Sequence, residues 1–263
     1  MRLARFFLCC FMALFLSRES YSEENARTIM EQVKANATAN FEQARIELTD
    51  FNKNGNTIKT QKMVFAAKYK GDGCFDSLFV FTDPKRMSGS WFLTNESEID
   101  AQYFYTEQFR RMVRVASGDG GKPFFGTWFA QEDVKSEKLA EWEYSIIDKD
   151  EPAGVVVIAA VPKEESQSSY SRRVLTIDIK HNVPLRIEYF RRDKLYKVQE
   201  NSNIVDVDGR SRATSYVMRN SDGEGTRAVF ENIRLGIESP KWMFDSQELR
   251  GRNPLEGVKT ILK

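Results

Sequence analysis

The residues that most often carry out catalysis are scarce in this chain of 263 residues. It contains one histidine, His181, and three cysteines. A zinc site built on two histidines is therefore excluded, and a Ser-His-acid or Cys-His constellation would have to use His181. The sequence Lys180-His181-Asn182 is typical of a hairpin turn, where histidine is usually exposed to solvent. We expect neither His181 nor Cys74, which follows the turn Gly71-Asp72-Gly73, to be catalytic.

Two glycine-containing loops resemble ligand-binding loops, but each lacks a required feature. Gly118-Asp119-Gly120-Gly121-Lys122 does not have the spacing of a phosphate-binding loop. Asp206-Val207-Asp208-Gly209 lacks the glutamate that completes a calcium loop. We therefore expect turns at both places, with no metal ion and no cofactor. Paired carboxylates for glycoside hydrolysis are defined by their separation in space, so the sequence leaves a glycan hydrolase open as an alternative.

Charge is balanced, with 39 Lys and Arg against 38 Asp and Glu and a formal charge of +1. A nucleic-acid-binding protein usually carries a large basic excess, so we predict no nucleic-acid partner. Arg110, Arg111 and Arg114 nevertheless form a basic and aromatic cluster with Tyr105 and Phe109. Such a cluster suits a nucleic-acid strand or an anionic lipid head group, and it is equally typical of a solvated strand face. We expect transient contact with a membrane.

The first 22 residues have the three regions of a secretory signal peptide. Arg2 and Arg5 precede an apolar run over residues 6–16, and small residues at Ser20 and Ser22 favour cleavage after Ser22. Cys9 and Cys10 lie inside the apolar run rather than at its end, so we do not expect lipidation. The sequence therefore predicts a periplasmic protein that crosses the inner membrane and is cut near Ser22.

Apolar periodicity predicts one helix followed by strands. Ala26, Ile29, Met30, Val33, Ala37 and Phe41 recur at intervals of three and four, which indicates an amphipathic helix whose apolar stripe packs against a sheet. Alternating or aromatic-rich runs then follow, joined by turn sequences suited to hairpins. These runs cover residues 44–51, 57–70, 75–82, 89–95, 101–105, 111–116, 142–149, 153–160, 173–179, 184–191, 195–204, 212–220 and 225–234.

Sequential hairpins without helical crossovers predict a mainly β fold. We expect a large curved antiparallel sheet or incomplete β-barrel, with the N-terminal helix and short helices covering it. Short helical stretches are expected at residues 124–134 and 244–249. No Pro, Gly or Ser-rich linker divides residues 23–263, so we assign them to one domain.

Aromatic residues on successive strands suggest either a filled core or an apolar cavity. A sheet that curves around one helix can leave a cavity between the two. In that case we expect the glycines of residues 117–134 to let this loop move and cover the cavity mouth. The ligand-binding residues predicted on this basis are Phe65, Phe79, Phe81, Trp91, Tyr103, Tyr105, Trp128 and Phe129.

The order of motifs resembles the periplasmic outer-membrane lipoprotein-sorting family, relatives of the carriers LolA and LolB. The resemblance rests on the signal peptide and helix, then Asp83-Pro84-Lys85-Arg86-Met87-Ser88-Gly89, Tyr103-Phe104-Tyr105, Arg110-Arg111-Met112-Val113-Arg114 and, above all, residues 124–134, FFGTWFAQEDV. Trp128 stands where the family commonly has an acid, Gln131 where it has an aromatic residue, and a proline usual near Glu107 is missing.

The resemblance implies a LolA-like fold whose apolar interior carries the acyl chains of lipids or lipoproteins towards the outer membrane. It also implies an inner-membrane transporter of the RND or MMPL type as a partner, and no catalytic residues. We therefore expect a non-enzymatic carrier or chaperone. A structural or adaptor protein of the envelope with a filled core is the alternative.

Overall fold

The computed structural model describes residues 24–71, 73–96, 101–115, 120–136, 138–147 and 152–258. The predicted signal peptide and part of the loop at 117–134 lie outside these residues. Among the described residues, no helix is both long and apolar enough to cross a membrane.

The first element is the helix α1, over residues 24–37. Ala26, Met30 and Val33 are buried along one stripe, as their spacing predicts. The predicted stripe is wrong in its last member, because Phe41 begins the first strand. The chain leaves the helix where the backbone amide and side-chain hydroxyl of Thr38 both donate to the carbonyl of Lys34.

Thirteen antiparallel strands follow, and they form one sheet. They are β1 (Phe41–Phe51), β2 (Thr57–Gly71), β3 (Cys74–Asp83), β4 (Trp91–Asn95), β5 (Ala101–Thr106), β6 (Arg111–Val115), β7 (Trp142–Ile147), β8 (Val155–Pro162), β9 (Arg172–Asp178), β10 (Val183–Arg191), β11 (Lys194–Val207), β12 (Arg210–Asn220) and β13 (Gly225–Leu235).

The order of the strands across the sheet is β6-β5-β4-β3-β2-β1-β13-β12-β11-β10-β9-β8-β7. Two meanders, β1–β6 and β7–β13, are thus joined through the pair β1 and β13. Within the described residues β6 and β7 are edges, so the sheet is open. The predicted mainly β fold with sequential hairpins is confirmed.

Turn residues explain why neighbouring strands reverse where they do. The Asn52 side chain accepts hydrogen bonds from the amides of Asn54 and Asn56, both at 3.0 Å, between β1 and β2. Asn220 accepts in the same way from Asp222 and Glu224 between β12 and β13. Asparagine favours such turns because its side chain replaces a backbone acceptor.

One face of the sheet, which we call the helix face, is covered by α1 and by residues 120–136. Met30 and Val33 of α1 pack on Ile158 and Leu175 of the β7–β10 half. Residues 120–136 pack on the β1–β5 half, where Phe124 and Phe129 join Phe79. These residues form two short 3-10 turns, Phe124–Gly126 and Gln131–Val134, in place of the continuous short helix that we predicted.

The opposite face, the tail face, is covered over β2–β5 by residues 240–258. This segment contains a 3-10 turn (Lys241–Phe244), the predicted helical turn α2 (Ser246–Arg250) and a second 3-10 turn (Pro254–Val258). Met243, Phe244, Leu249 and Val258 are buried there against Trp91 and its neighbours. Strands β2–β5 are therefore covered on both faces.

Candidate ligand-binding site

The segment 120–136 is anchored to the helix face by aromatic contacts. Phe124 meets Phe79 and Phe92 edge-on, with ring centroids 5.0 and 5.4 Å apart. Phe125 meets Phe81 at 4.6 Å. Both rings turn inwards because Phe125 and Gly126 adopt left-handed backbone conformations, with φ of 51° and 73°. A glycine is well suited to the second of these positions.

A buried ion pair fixes the second half of this segment. The Lys197 ammonium on β11 lies 2.5 Å from a carboxylate oxygen of Asp133, and each side chain is 1% exposed. Lys197 also donates to the carbonyl of Trp128 at 3.0 Å. The second carboxylate oxygen of Asp133 accepts from the Tyr170 hydroxyl at 2.8 Å. The charges are therefore compensated by hydrogen bonds, as burial requires.

Burial changes the acidity of both partners of Asp133. It lowers the pKa of Lys197, an effect that the carboxylate of Asp133 opposes. It raises the pKa of Tyr170 well above the ordinary value, and the negative charge of Asp133 raises it further. Tyr170 is therefore a neutral donor at physiological pH.

A cavity lies on the helix face, between α1 and residues 120–136. Its volume is about 440 Å³. Most of the surface of the cavity is apolar. The apolar lining residues are Met30, Val33, Ala37, Phe65, Ala67, Phe75, Val134, Leu175, Val183, Pro184, Ile187, Ala213, Tyr216 and Phe230.

Polar and charged side chains also line this cavity. Arg212 lies 3.4 Å from the carboxylate of Glu42, and the side chain of Glu42 is 17% exposed. Arg212 also donates to the carbonyls of Asn36 and Ala37 at 2.7 and 3.2 Å. It thereby satisfies carbonyls that the end of α1 leaves without helical partners. Desolvation raises the pKa of Glu42, although the charge of Arg212 acts in the opposite direction.

A hydrogen-bonded row crosses the floor of the cavity. Tyr189 donates to Gln199 at 3.1 Å, Gln199 donates to Asn201 at 2.9 Å, and Asn201 donates to the carbonyl of Pro184 at 2.8 Å. Gln199 and Asn201 line the cavity. The site therefore combines a mainly apolar surface with several fixed polar groups, which can orient a bound small molecule.

The eight predicted ligand-binding residues fall into three groups in the structure. Phe65 lines the cavity. Phe79, Phe81, Trp128 and Phe129 lie on the same face but pack into the aromatic cluster beside the cavity. The others, Trp91, Tyr103 and Tyr105, lie on the tail face with Met243 and Leu249.

A large part of the lining comes from β9–β13, a region that our sequence interpretation did not consider for the site. Ile187 lies between Arg186 and Glu188, an alternation that is a usable signal of a strand with one buried face. Leu175, Tyr216 and Phe230 each have a valine as one neighbour, so alternation does not single them out.

Side chains that could bind a metal ion are not clustered in the described part of the chain. There, no three His, Cys, Asp or Glu side chains are grouped so that they could hold a metal ion. His181 lies in the β9–β10 turn, as predicted, with its Nδ1 atom 2.6 Å from Asp178. Cys74 is the first residue of β3.

Comparison with known proteins gives a family and a fold. A family model described as "Uncharacterized protein" matches residues 75–251, which is more than half of the chain, so the chain belongs to this family. The comparison with curated proteins gave no match.

Solved structures show which fold the chain has. A domain from Vibrio parahaemolyticus, described as an outer-membrane lipoprotein-sorting protein domain, superposes with a TM-score of 0.78 at 23% identity, covering 87% of this chain and 99% of that domain. A DUF1329 family protein from Desulfovibrio piger gives 0.79 at 18% identity, with 87% and 99% covered. A LolA superfamily protein from Nitrosomonas europaea gives 0.67 at 14% identity, with 84% and 98% covered. The chain has a LolA-like fold, and the resemblance noted from its sequence is confirmed at that level.

Proposed function

We propose that this protein is a carrier that binds the acyl chains of lipids or lipid-modified proteins in the cavity between α1 and residues 120–136. The observation that carries the proposal is the cavity itself, about 440 Å³ in volume and with a mainly apolar surface. That volume is within the range of about 300–1,000 Å³ typical of small-molecule sites. The name of the Vibrio parahaemolyticus domain, which refers to lipoprotein sorting, is consistent with this proposal.

Binding is driven by removal of the acyl chain from water. Each buried methylene contributes about 0.8 kcal/mol, so a chain of ordinary length needs few polar contacts. The ion pair of Glu42 and Arg212 and the amide of Asn201 offer such contacts to a polar head. The proposed action is reversible burial, with no bond made or broken.

A cavity-filling substitution tests the carrier function. Ala67 is 5% exposed and lines the cavity, so Ala67→Phe places a ring where the acyl chain would lie. We expect this variant to lose at least tenfold in affinity for a fluorescent fatty acid. The matched control is Ala35→Phe, which adds the same volume on the exposed side of α1 and should bind like the wild type. Equal affinity in all three proteins, or no binding by the wild type, would contradict the proposal.

The carrier would act in the periplasm, with a transporter of the RND or MMPL type as its source of cargo and the outer membrane as its destination. Export requires cleavage of residues 1–22, which leaves α1 whole because that helix spans residues 24–37. N-terminal sequencing of protein from its native host should begin at Glu23. An uncut chain, or acylation at Cys10, would reject this part of the proposal.

The alternative function, an adaptor or structural protein of the envelope, has one observation in its favour. Phe79, Phe92, Phe124 and Phe125 fill the helix face beside the cavity with aromatic contacts. A protein with only that filled core would bind no fatty acid, so the same titration separates the two functions.

A further inference from the structure

Three basic segments of the chain meet at one end of strands β3–β6. The β3–β4 turn lies beside the β5–β6 turn, because the amide of Glu107 donates to the side chain of Ser90 at 3.0 Å. A cleft of about 630 Å³ separates these turns from residues 250–255 of the C-terminal segment. Arg110 and Arg250 line this cleft from opposite sides.

The tip of the β5–β6 turn presents an exposed aromatic ring. Phe109 is 71% exposed, and it precedes Arg110 and Arg111, which are also exposed. Arg110 has a φ of 47°, a left-handed conformation that turns the chain sharply after Phe109. The described residues therefore leave most of this ring uncovered.

Exposed basic side chains also occur on the other two segments at this end. Lys85 and Arg86 are exposed in the β3–β4 turn, and Arg250 and Arg252 are exposed in the C-terminal segment. Arg252 pairs with Glu248. In contrast, Arg110, Arg111 and Arg250 form no ion pair within the part of the chain that the structure describes.

This concentration of charge is local. The whole chain has a formal charge of only +1, and the exposed acids at this end are Asp83, Glu107, the paired Glu248 and Glu256. We call the surface made by Phe109, Arg110, Arg111, Arg250 and the Lys85-Arg86 pair the basic end.

We infer that the basic end docks on an anionic phospholipid surface, with Phe109 inserted among the head groups. Charge complementarity supports this partner, because clustered Lys and Arg are attracted to anionic lipids and an aromatic ring suits the membrane interface. A nucleic-acid strand would require several aromatic rings along a groove, whereas this surface has one protruding ring. The inference does not depend on the carrier function, since the basic end lies outside the cavity.

Flotation with lipid vesicles tests the inference. The chain from Glu23 onwards should bind vesicles of phosphatidylglycerol and phosphatidylcholine, and it should not bind vesicles of phosphatidylcholine alone. Arg110→Gln with Arg111→Gln should weaken binding by about fivefold for each arginine removed. Phe109→Ser should weaken it by about tenfold, through loss of the buried ring. Added salt should weaken wild-type binding, because it screens the charges.

Control variants carry the same substitutions elsewhere. Val205→Ser removes an apolar side chain that is 41% exposed near Asp206 and Asp208, and Arg227→Gln with Arg234→Gln removes two exposed arginines. Both controls should bind vesicles like the wild type. Fatty-acid affinity should be unchanged in every variant, so a failure of docking is distinguishable from a failure of the carrier function.

Several results would overturn the inference. The wild type could fail to bind anionic vesicles, or it could bind neutral vesicles equally well. The control variants could also lose as much vesicle binding as the variants of the basic end. Binding of a single-stranded oligonucleotide that is tighter than vesicle binding and is lost in the Arg110 and Arg111 variant would assign the basic end to nucleic acid instead.

Discussion

Lys197 brings a positive charge into the interior, and the way that this charge is compensated has a measurable consequence. We predict that Lys197→Met destabilises the protein by about 3–5 kcal/mol, because Asp133 is then a buried carboxylate without its cation. Unfolding in urea measures the change. The matched control is Lys62→Met. Lys62 forms an exposed ion pair with Glu47, and the loss of that pair should lower the free energy of unfolding by at most about 1 kcal/mol.

A double variant distinguishes the ion pair from packing. In Lys197→Met with Asp133→Leu, no unpaired charge is left behind, so the loss should be smaller than the sum of the two single losses. Recovery should be incomplete because Asp133 also accepts from Tyr170 and from the amide of Ala130. Additive losses would show that the pair does not couple residues 120–136 to β11.

Glu42 predicts a dependence of stability on pH. Its pKa is raised in the folded state, so the fold favours the protonated carboxyl. The stability from that preference is complete below the ordinary pKa of 4.5 and is lost as the pH rises through the folded-state value. Glu42→Gln is neutral at every pH. We therefore expect this variant to gain stability relative to the wild type between about pH 4 and pH 7.

The free energy of unfolding in urea at several pH values measures this effect. Glu47→Gln is the control, because Glu47 is on the same strand and its side chain is 43% exposed. A difference between Glu42→Gln and wild type that stays constant across the range would show that Arg212 compensates the charge of Glu42 fully.

The C-terminal segment, residues 240–258, covers the tail face over β2–β5. Leu249 of α2 is completely buried against this face. Leu249→Ala should cost about 2–5 kcal/mol, the range for a leucine truncated in a packed core. Urea unfolding of Gln247→Ala, a neighbouring exposed residue of α2, should show a change below about 0.5 kcal/mol. A small loss in both variants would mean that residues 240–258 contribute little to stability.

The sequence was sufficient to predict the strands but not which face each residue occupies. Alternation has a period of two wherever one face of a strand is buried, so it indicates a strand without knowledge of its neighbours. The face of the sheet that a residue occupies depends on the register between its strand and the neighbouring strands. Phe65 pairs with Phe79, so odd-numbered residues of β2 and β3 share the helix face. Val80 pairs with Trp91, which moves odd-numbered residues of β4 to the tail face.

The β3–β4 turn sets this change of parity, and nothing in its composition specified it. The same limit applies to the cavity. Its walls come from α1, β1–β3 and β9–β13, which are brought together only by the pairing of β1 with β13. A single sequence contains no local signal for a contact between residues so far apart in the chain.

The pairing of β1 with β13 joins two meanders into one sheet across the whole molecule. Leu48 of β1 lies opposite Ala228 of β13, and both belong to the core cluster of the helix face. That cluster also contains Phe79 from one meander and Met218 from the other. The two meanders therefore share this apolar cluster, although each is built from local hairpins.

This shared core predicts that residues 23–263 unfold as one domain. The four tryptophans report on both meanders, because Trp91 lies in β4 and Trp142 in β7. Their emission and the far-UV circular dichroism should change in a single coincident urea transition. Leu48→Ala should move that transition to lower urea while keeping the two probes coincident, since both meanders lose the same cluster contacts. If the chain instead held two independent units, Leu48→Ala would shift one transition and leave the emission change of Trp142 at its original urea concentration.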